Sequence, residues 1–519
     1  MKTDNSTARV SQHLRRLADG QPPGTRLPSV RAIMAELRVS PVTVQHVLDA
    51  LAHEGVLDAR PGQGTFVASG PGADRAGDGR PSDLAWQSLA LGPPRATAGG
   101  LDSLCLVPSD QARPLNAGYL TTELQPLALL AAASSRAMRR PDVWGRMPPE
   151  GLPALRTWFA AAVPGAFGAH EVTICPGTQA ANAAAFRALA APGDPVLVES
   201  PTYVGALAAA RAAGLRAVPV PTDGNGVRPD ALAEAFRRTG AKVFYCQPTY
   251  ANPTGAVLAA DRRAAVLAAT AEAGAFLIED DWARDFALDG EAPPPLAPED
   301  PDGHVVYVRS LTKCAAPGLR VGAICARGAA LQRLRAARLV DDFFVPGILQ
   351  ETALQLVTAP SWPRHLRTLR AALRLRRDAL AAAVRRHLGT ACLPHLPAGG
   401  LHLWVALPGG AGDRAVERQA AARGILVSAG HHWHPAEPAA PFLRLSFAGA
   451  QPDWVDGCIA ELAGIVADEA GKAGRDDRLT LVDRPAPQPR HGEAGSWSDQ
   501  PSGLHRPRAS ADDRGARCR

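Results

Sequence analysis

The sequence predicts a multidomain chain in which a small α+β unit precedes a large α/β unit. Three observations carry that expectation. The chain has 519 residues, against a soft prior of roughly 150 per domain. Its first part carries two helix caps followed by a turn-rich, alternating segment. From about residue 104 to 465, short apolar strands alternate with Ala-rich helical segments, a pattern that places helices over both faces of a parallel sheet.

The elements follow in order. Val10, Leu14 and Leu17 place one apolar face on a helix over Thr7–Ala18. Ser29 caps a second helix reaching about Leu37. Ser40 caps a third, with Pro41 at its first position, where a missing N–H is harmless. Residues 56–68 alternate around Pro61-Gly62-Gln63-Gly64, which reads as a hairpin. Residues 1–69 therefore form the first unit, and the Gly-, Pro- and Ala-rich segment 70–103 reads as a linker. The large unit spans 104–468. Its predicted strands are Val172–Cys175, Pro195–Glu199, Ala217–Val220, Lys242–Cys246, Ala275–Ile278, Val305–Val308 and Val321–Cys325, with a long helix over Leu366–Leu388. Residues 469–519 are Pro-, Ser-, Arg- and Asp-rich and read as a disordered tail.

Composition bounds the function. Hydrophobic residues make up 46% of the chain, ample for a core, and 56 basic against 50 acidic residues leave a net charge of +6. That balance permits nucleic-acid binding without arguing for it, since a local patch decides. Only four lysines occur, Lys2, Lys242, Lys313 and Lys472. Against that arginine-rich background, a lysine deep in the chain points to chemistry that needs a primary amine able to deprotonate. The eight cysteines form no C-x-x-C pair and no zinc spacing, so reduced thiols and no metal site are expected. The polar start Met1–Val10 reads as no signal peptide. Apolar runs such as Leu127–Ala133 fall far short of the roughly 20 residues of a membrane span. A cytoplasmic protein without membrane association is the expectation.

In the first unit, Leu27, Ile33, Leu37, Val44, Val47, Leu48 and Leu51 can form a three-helix core. That leaves Pro41, Val42, Thr43, Gln45 and His46 towards a major groove. Gln45 can hydrogen-bond a base edge, and Thr43 a base or a phosphate. Arg31, Arg60 and the backbone N–H groups of Gly62, Gln63 and Gly64 can hold phosphates. The runs Gly24–Arg31, Val39–Val44 and Glu54–Val67 resemble, in order, the winged helix-turn-helix of GntR-family regulators. The resemblance implies double-stranded DNA as partner and Ser29, Arg31, Ser40, Thr43, Gln45, His46, Arg60, Gly62, Gln63 and Gly64 as DNA-binding residues.

The large unit carries a second ordered set of motifs. Pro176-Gly177-Thr178-Gln179 sits between a strand and a helix, where free N–H groups can meet a phosphate. Glu199–Tyr203 and Asn252-Pro253-Thr254-Gly255 follow strands, and Glu279-Asp280-Asp281 ends another. Ser310-Leu311-Thr312-Lys313 leads to Gly318-Leu319-Arg320, and Arg444 lies in Phe442–Phe447. The set resembles class I/II aminotransferases, which have the type I pyridoxal phosphate-dependent aminotransferase-like fold. Together with the first unit, it resembles the MocR-like branch of GntR regulators.

The resemblance implies pyridoxal 5′-phosphate as cofactor, with Lys313 as the catalytic Schiff-base lysine. Gly177, Thr178, Gln179, Ser310 and Arg320 fall in its phosphate-side motifs, Tyr203 would stack on the ring, and Asn252 would meet its phenolic oxygen. Asp280, with Asp281 the alternative, would pair with the ring nitrogen, and Arg444 would clamp a substrate carboxylate. Relatives carry a Tyr where Trp282 stands; an indole N–H donates but cannot ionise, so slow or vestigial transamination is expected. The function implied is a homodimeric transcriptional regulator that senses an amino acid or related amine by aldimine exchange. The alternatives are an active aminotransferase with a DNA-binding appendage, or a sensor of pyridoxal phosphate itself.

Overall fold

The computed structural model describes residues 5–19, 21–60, 64–68, 84, 86–91, 94, 100–109 and 111–482. The chain divides into two compact units, Met1–Pro94 and Arg95–Arg519.

In the first unit, α1 (Asn5–Ala18), α2 (Val30–Leu37) and α3 (Pro41–His53) precede a hairpin of β1 (Leu57–Arg60) and β2 (Gly64–Val67). Both caps form. Ser29 Oγ accepts the Ala32 N–H at 3.3 Å and Ser40 Oγ accepts the Thr43 N–H at 3.2 Å, each cap stabilising its helix by about 1 kcal/mol. Val10, Leu14 and Ala18, one turn apart, bury the face of α1 in one cluster with Val44, Val47, Leu48 and Leu51 of α3. The hairpin is antiparallel, pairing Leu57 with Val67 and Arg60 with Gly64. A further helix, α4 (Trp86–Leu91), lies within the segment read as linker.

The second unit opens with α5 (Leu101–Cys105), which begins inside that segment and ends two residues past it, and the short strand β3 (Arg113–Pro114). The helices α6 (Leu127–Met138), α7 (Pro153–Ala161) and α8 (Thr178–Leu189) follow. The main sheet is built from β4 (Val172–Cys175), β5 (Pro195–Ser200), β6 (Arg216–Asp223), β7 (Gly226–Val227), β8 (Val243–Cys246), β9 (Phe276–Asp280), β10 (Val305–Ser310) and β11 (Gly322–Cys325). Its order is β4-β11-β10-β9-β8-β5-β6-β7.

The central strands are largely apolar on both faces because both are covered, with polar residues gathered towards their C-terminal ends. Val196, Val198, Val243, Tyr245, Ile278, Val306 and Val308 enter one cluster. The intervening Leu197, Phe244, Leu277, Val305 and Tyr307 enter the other. The expectation of a parallel sheet needs correction. β5, β6, β8, β9 and β10 are parallel, but β11 runs antiparallel to both β10 and β4, and β7 antiparallel to β6. The link from Ser310 to Gly322 holds only a short 3-10 turn, Pro317–Leu319. A parallel crossover needs a dozen or more residues, usually a helix, so the chain turns back instead.

After a long helix over Trp362–His387, a smaller layer contains β12 (His402–Ala406), β13 (Ile425–Leu426), β14 (Ser428–Ala429) and β15 (Phe442–Ser446). The order is β12-β15-β14, and β13 pairs with β3. The last helix runs over Val455–Val482, past residue 468, where the sequence reading ended the unit; the remainder of the predicted tail, 483–519, lies outside the described residues. Among the described residues no helix is long and apolar enough to cross a membrane, and the seven described cysteines are free.

Candidate functional site

The parallel strands of an α/β sheet present loops at their C-terminal ends, where ligands bind. Here β5 ends at Ser200, β8 at Cys246, β9 at Asp280 and β10 at Ser310. The loops beyond them surround a cavity that opens to solvent. Thr178, Tyr203, Asn252, Asp280, Trp282, Lys313 and Arg444 all line it. Residues up to 266 positions apart in sequence, from Thr178 to Arg444, thus converge on one space.

Asp280 is 1% exposed. Its Oδ2 accepts hydrogen bonds from Tyr245 Oη at 2.6 Å, Asn182 Nδ2 at 3.0 Å and Gln247 Nε2 at 3.3 Å. Its Oδ1 is buried and has no donor. Burial pushes the carboxyl above its ordinary 3.8, while the three donors pull it back. Asp281, one residue past the end of β9, faces away: its Oδ2 accepts from Tyr307 Oη at 2.7 Å and pairs with Arg284. Of the two carboxylates, only Asp280 lines the cavity.

Lys313 Nζ donates to the Gly118 carbonyl at 2.8 Å and lies 3.7 Å from the centroid of the Tyr119 ring. Burial, then the Arg444 and Arg320 guanidinium groups, lower its pKa from 10.5 to about 7. The amine is therefore available as a neutral nucleophile near neutrality, which an ordinary lysine is not.

Arg444 is 1% exposed, and its hydrogen-bond partners among the described residues include no carboxylate. Its Nη1 faces Asn252 Oδ1 at 3.4 Å and His402 Nε2 at 3.3 Å. Its Nη2 donates to the Asn116 carbonyl, and Nε has no partner. The Trp433 ring lies 4.3 Å from Cζ. Burial lowers the guanidinium to about 9. A buried cation without a counter-charge is costly unless an anion completes it.

Trp282 stacks on His402, with ring centroids 5.6 Å apart at 20°, and its Nε1 is buried without an acceptor. Burial and the nearby Arg444 and Lys313 charges hold His402 well below 6.5. The ring is therefore neutral, and its Nε2 can accept from the Arg444 guanidinium.

Gly177 begins α8 at φ 85°, ψ 173°, backbone that is essentially restricted to glycine. A Cβ there would come within 3.1 Å of the Arg320 guanidinium, which donates to the Pro176 carbonyl at 2.9 Å. Gly177 and Arg320 thus meet at the start of α8. Ser310 is buried; its Oγ accepts from the Thr312 N–H at 3.1 Å and lies 3.2 Å from the Val321 carbonyl. Gln179 does not line the cavity: its Nε2 donates to the Gly205 carbonyl at 2.9 Å and its Oε1 is buried without a donor.

His402, in the Gly399–His402 run whose resemblance places it beside the substrate pocket, lines the cavity. Several other lining or supporting groups were not singled out from sequence. Asn182, Tyr245 and Gln247 support Asp280, while Tyr119 and the face of α5 bearing Leu101, Leu104 and Cys105 line the cavity. Only a known fold brings such scattered residues together.

In the first unit, Pro41, Val42, Gln45 and His46 are exposed on α3, and Thr43 is half-buried. Gln45 Nε2 donates to Asp49 Oδ1 at 2.8 Å. Arg60 pairs with Asp58 at 2.8 Å and lies over the Phe66 ring. Arg31 is exposed, and the hydroxyls of Ser29 and Ser40 are occupied as caps. Gly64 sits at φ 119° beside the Arg26 guanidinium. Gly62 and Gln63 lie outside the described residues.

Comparison with known proteins matches both units. Residues 114–462 match the family described as Aminotransferase class I and II, and residues 7–67 the bacterial regulatory proteins of the gntR family. The HTH-type transcriptional regulator TauR of Rhodobacter capsulatus is 30% identical over 85% of this chain and 92% of its own. The probable rhizopine catabolism regulatory protein MocR of Rhizobium meliloti is 26% identical over 89% of this chain and 93% of its own. Among solved structures, LysN, an alpha-aminoadipate aminotransferase of Thermus thermophilus complexed with N-(5′-phosphopyridoxyl)-L-leucine, superposes with a TM-score of 0.66. It is 26% identical and covers 75% of this chain and all of its own.

Proposed function

We propose, from the premise that this chain belongs to the aminotransferase class I and II family and to the MocR-like regulators that join it to a GntR-type DNA-binding unit, that it is a transcriptional regulator which holds pyridoxal 5′-phosphate and senses an amino acid or related amine. The residues present fit the cofactor, because the cavity holds unmatched buried polar atoms of the right kinds. When bound, pyridoxal phosphate supplies an electrophilic carbon for amines and a ring that withdraws electrons.

This chain's residues then divide the work. Lys313 offers the amine that attaches the cofactor. Asp280 would hold the ring nitrogen through Oδ1, the oxygen without a donor. Thr178 at the start of α8 and the Arg320 guanidinium fork would hold the phosphate, with Gly177 leaving room for its approach and Gln179 and Ser310 supporting that end. Tyr203 would cover the ring. Asn252 and Trp282 Nε1 would donate to its phenolic oxygen; Trp282 holds a proton there but cannot release it.

The observation that carries amine sensing is Arg444, a buried guanidinium without a carboxylate partner. A carboxylate on the incoming amine would complete it. The exposed face of α3, with Gln45 and His46 and the flanking Arg31 and Arg60, is the proposed surface for double-stranded DNA. The exposed Trp144, Val340 and Phe343 of the large unit support burial in a homodimer. Two DNA units would then read two half-sites. The free thiols are consistent with a cytoplasmic protein.

The second reading, an active aminotransferase, is favoured by one observation, the low pKa of Lys313, which suits a general base. The experiment that separates them follows cofactor absorbance and keto-acid product together as amino acids are added. A spectral change with negligible multiple turnover supports the regulator. Sustained turnover on the order of 10 s⁻¹ would overturn it.

A further inference from the structure

We infer that the sensed amine carries a single carboxylate and an uncharged, apolar side chain, and that α5 forms the wall that reads this side chain. The inference rests on the amine-sensing reading above and names the class of amine.

Two independent observations carry it. The first is the wall. Leu101, Leu104 and Cys105 occupy positions i, i+3 and i+4, one face of a helix, and all three line the cavity that holds Lys313 and Arg444. Asp102 lies off that face and is exposed. Asn116, 4% exposed, ties wall to clamp: its Nδ2 donates to the Ser103 carbonyl at 2.6 Å, and its own carbonyl accepts from Arg444 Nη2. The apolar face and the guanidinium are thus held by the same residue.

The second is the charge inventory. The cations of the cavity lining are Lys313 and Arg444. Lys313 either holds the cofactor or, once the amine has replaced it, stays at the Gly118 carbonyl as a weak cation with its pKa lowered to about 7, and Arg444 is committed to the first carboxylate. Arg320 is engaged at Pro176 beside Gly177. His402 faces the Arg444 guanidinium with Nε2 and stays neutral. A second carboxylate would therefore be buried with no more than that weak cation. A second ammonium would find only Asp280, whose oxygens are taken up by three donors and the ring nitrogen. Burying an unpaired charge costs far more than an apolar side chain gains.

The test is a spectral titration of the cofactor-loaded full-length protein with alanine, norvaline, norleucine, glutamate and ornithine. Affinity is expected to rise about fourfold per methylene along the neutral series, following about 0.8 kcal/mol for each CH₂ buried. Glutamate and ornithine are expected at least tenfold weaker than norvaline. Leu104→Ala should weaken norleucine more than alanine. Leu104→Arg should bring glutamate up at least tenfold relative to norvaline. Glutamate or ornithine binding as tightly as norvaline in the unaltered protein would overturn the inference. So would a Leu104→Ala loss equal for alanine and norleucine. If none of the five amino acids changes the spectrum, the amine-sensing reading falls and this inference with it.

Discussion

Replacing Lys313 by methionine in the cofactor-free protein should stabilise it, most strongly at low pH. The side chains are similar in length, and the change removes only the buried amine. The folded-state pKa of about 7 lies below the ordinary 10.5, which corresponds to about 5 kcal/mol at 1.36 kcal/mol per unit. Between pH 7 and 10.5 the unfolded chain binds a proton that the folded chain does not, so native stability rises with pH through that window. The cost of the buried amine is full below pH 7 and gone above 10.5. Lys313→Met should therefore gain up to about 5 kcal/mol near pH 6 and almost nothing near pH 10.5. Urea unfolding at a series of pH values, followed by the fluorescence of the large unit, measures this directly. The same shift predicts that pyridoxal phosphate loads onto the unaltered protein at a rate that rises through pH 7 and levels off, since only the neutral amine reacts. A pH-independent stability difference, or a loading rate still climbing at pH 9 to 10, would refute the account of Lys313.

Arg444→Ala should weaken amino acids by about 30-fold or more, from the roughly 2–5 kcal/mol lost on truncating a buried charge partner, while simple amines without a carboxylate change little; absorbance titration of both classes checks it. Gly177→Ala meets both a glycine-only backbone region and the Arg320 guanidinium at 3.1 Å; cofactor affinity should fall by about tenfold for each 1.4 kcal/mol of the 1–3 kcal/mol strain, measured by equilibrium loading. Arg60→Ala should weaken DNA binding on all sequences and lower the salt slope by about one, whereas Gln45→Ala should change the preferred sequence; binding-site selection over a salt series distinguishes them.

The local signals were legible where one segment decides its own structure. Ser29 and Ser40 announce helices because a cap acts within three residues. Lys313 stood out because lysine is scarce, and Asp280 was chosen over Asp281 by family resemblance alone, since spacing gives no sign of the side each residue takes. Strand direction was not legible: an apolar run such as Val321–Cys325 carries no mark of direction, and the short return from Ser310 sets it antiparallel. The wall at α5 was hidden for a different reason. Five residues beside a Gly- and Pro-rich stretch are too few to show a helical period, so the linker was read to residue 103 and the boundary fell inside the helix that lines the cavity. The donors that hold Asp280 lie 98, 35 and 33 residues away, and no spacing rule connects them.

The central claim is that one amine-binding cavity governs DNA binding, and a paired titration of the cofactor-loaded protein tests it most directly. Norvaline is added while cofactor absorbance and affinity for a selected operator are recorded on the same samples. The account predicts that both change with one midpoint, that operator affinity shifts by about 5- to 150-fold as expected for a coupling of 1–3 kcal/mol, and that Arg444→Ala moves both midpoints together. A saturated absorbance change with operator affinity unaltered would contradict it.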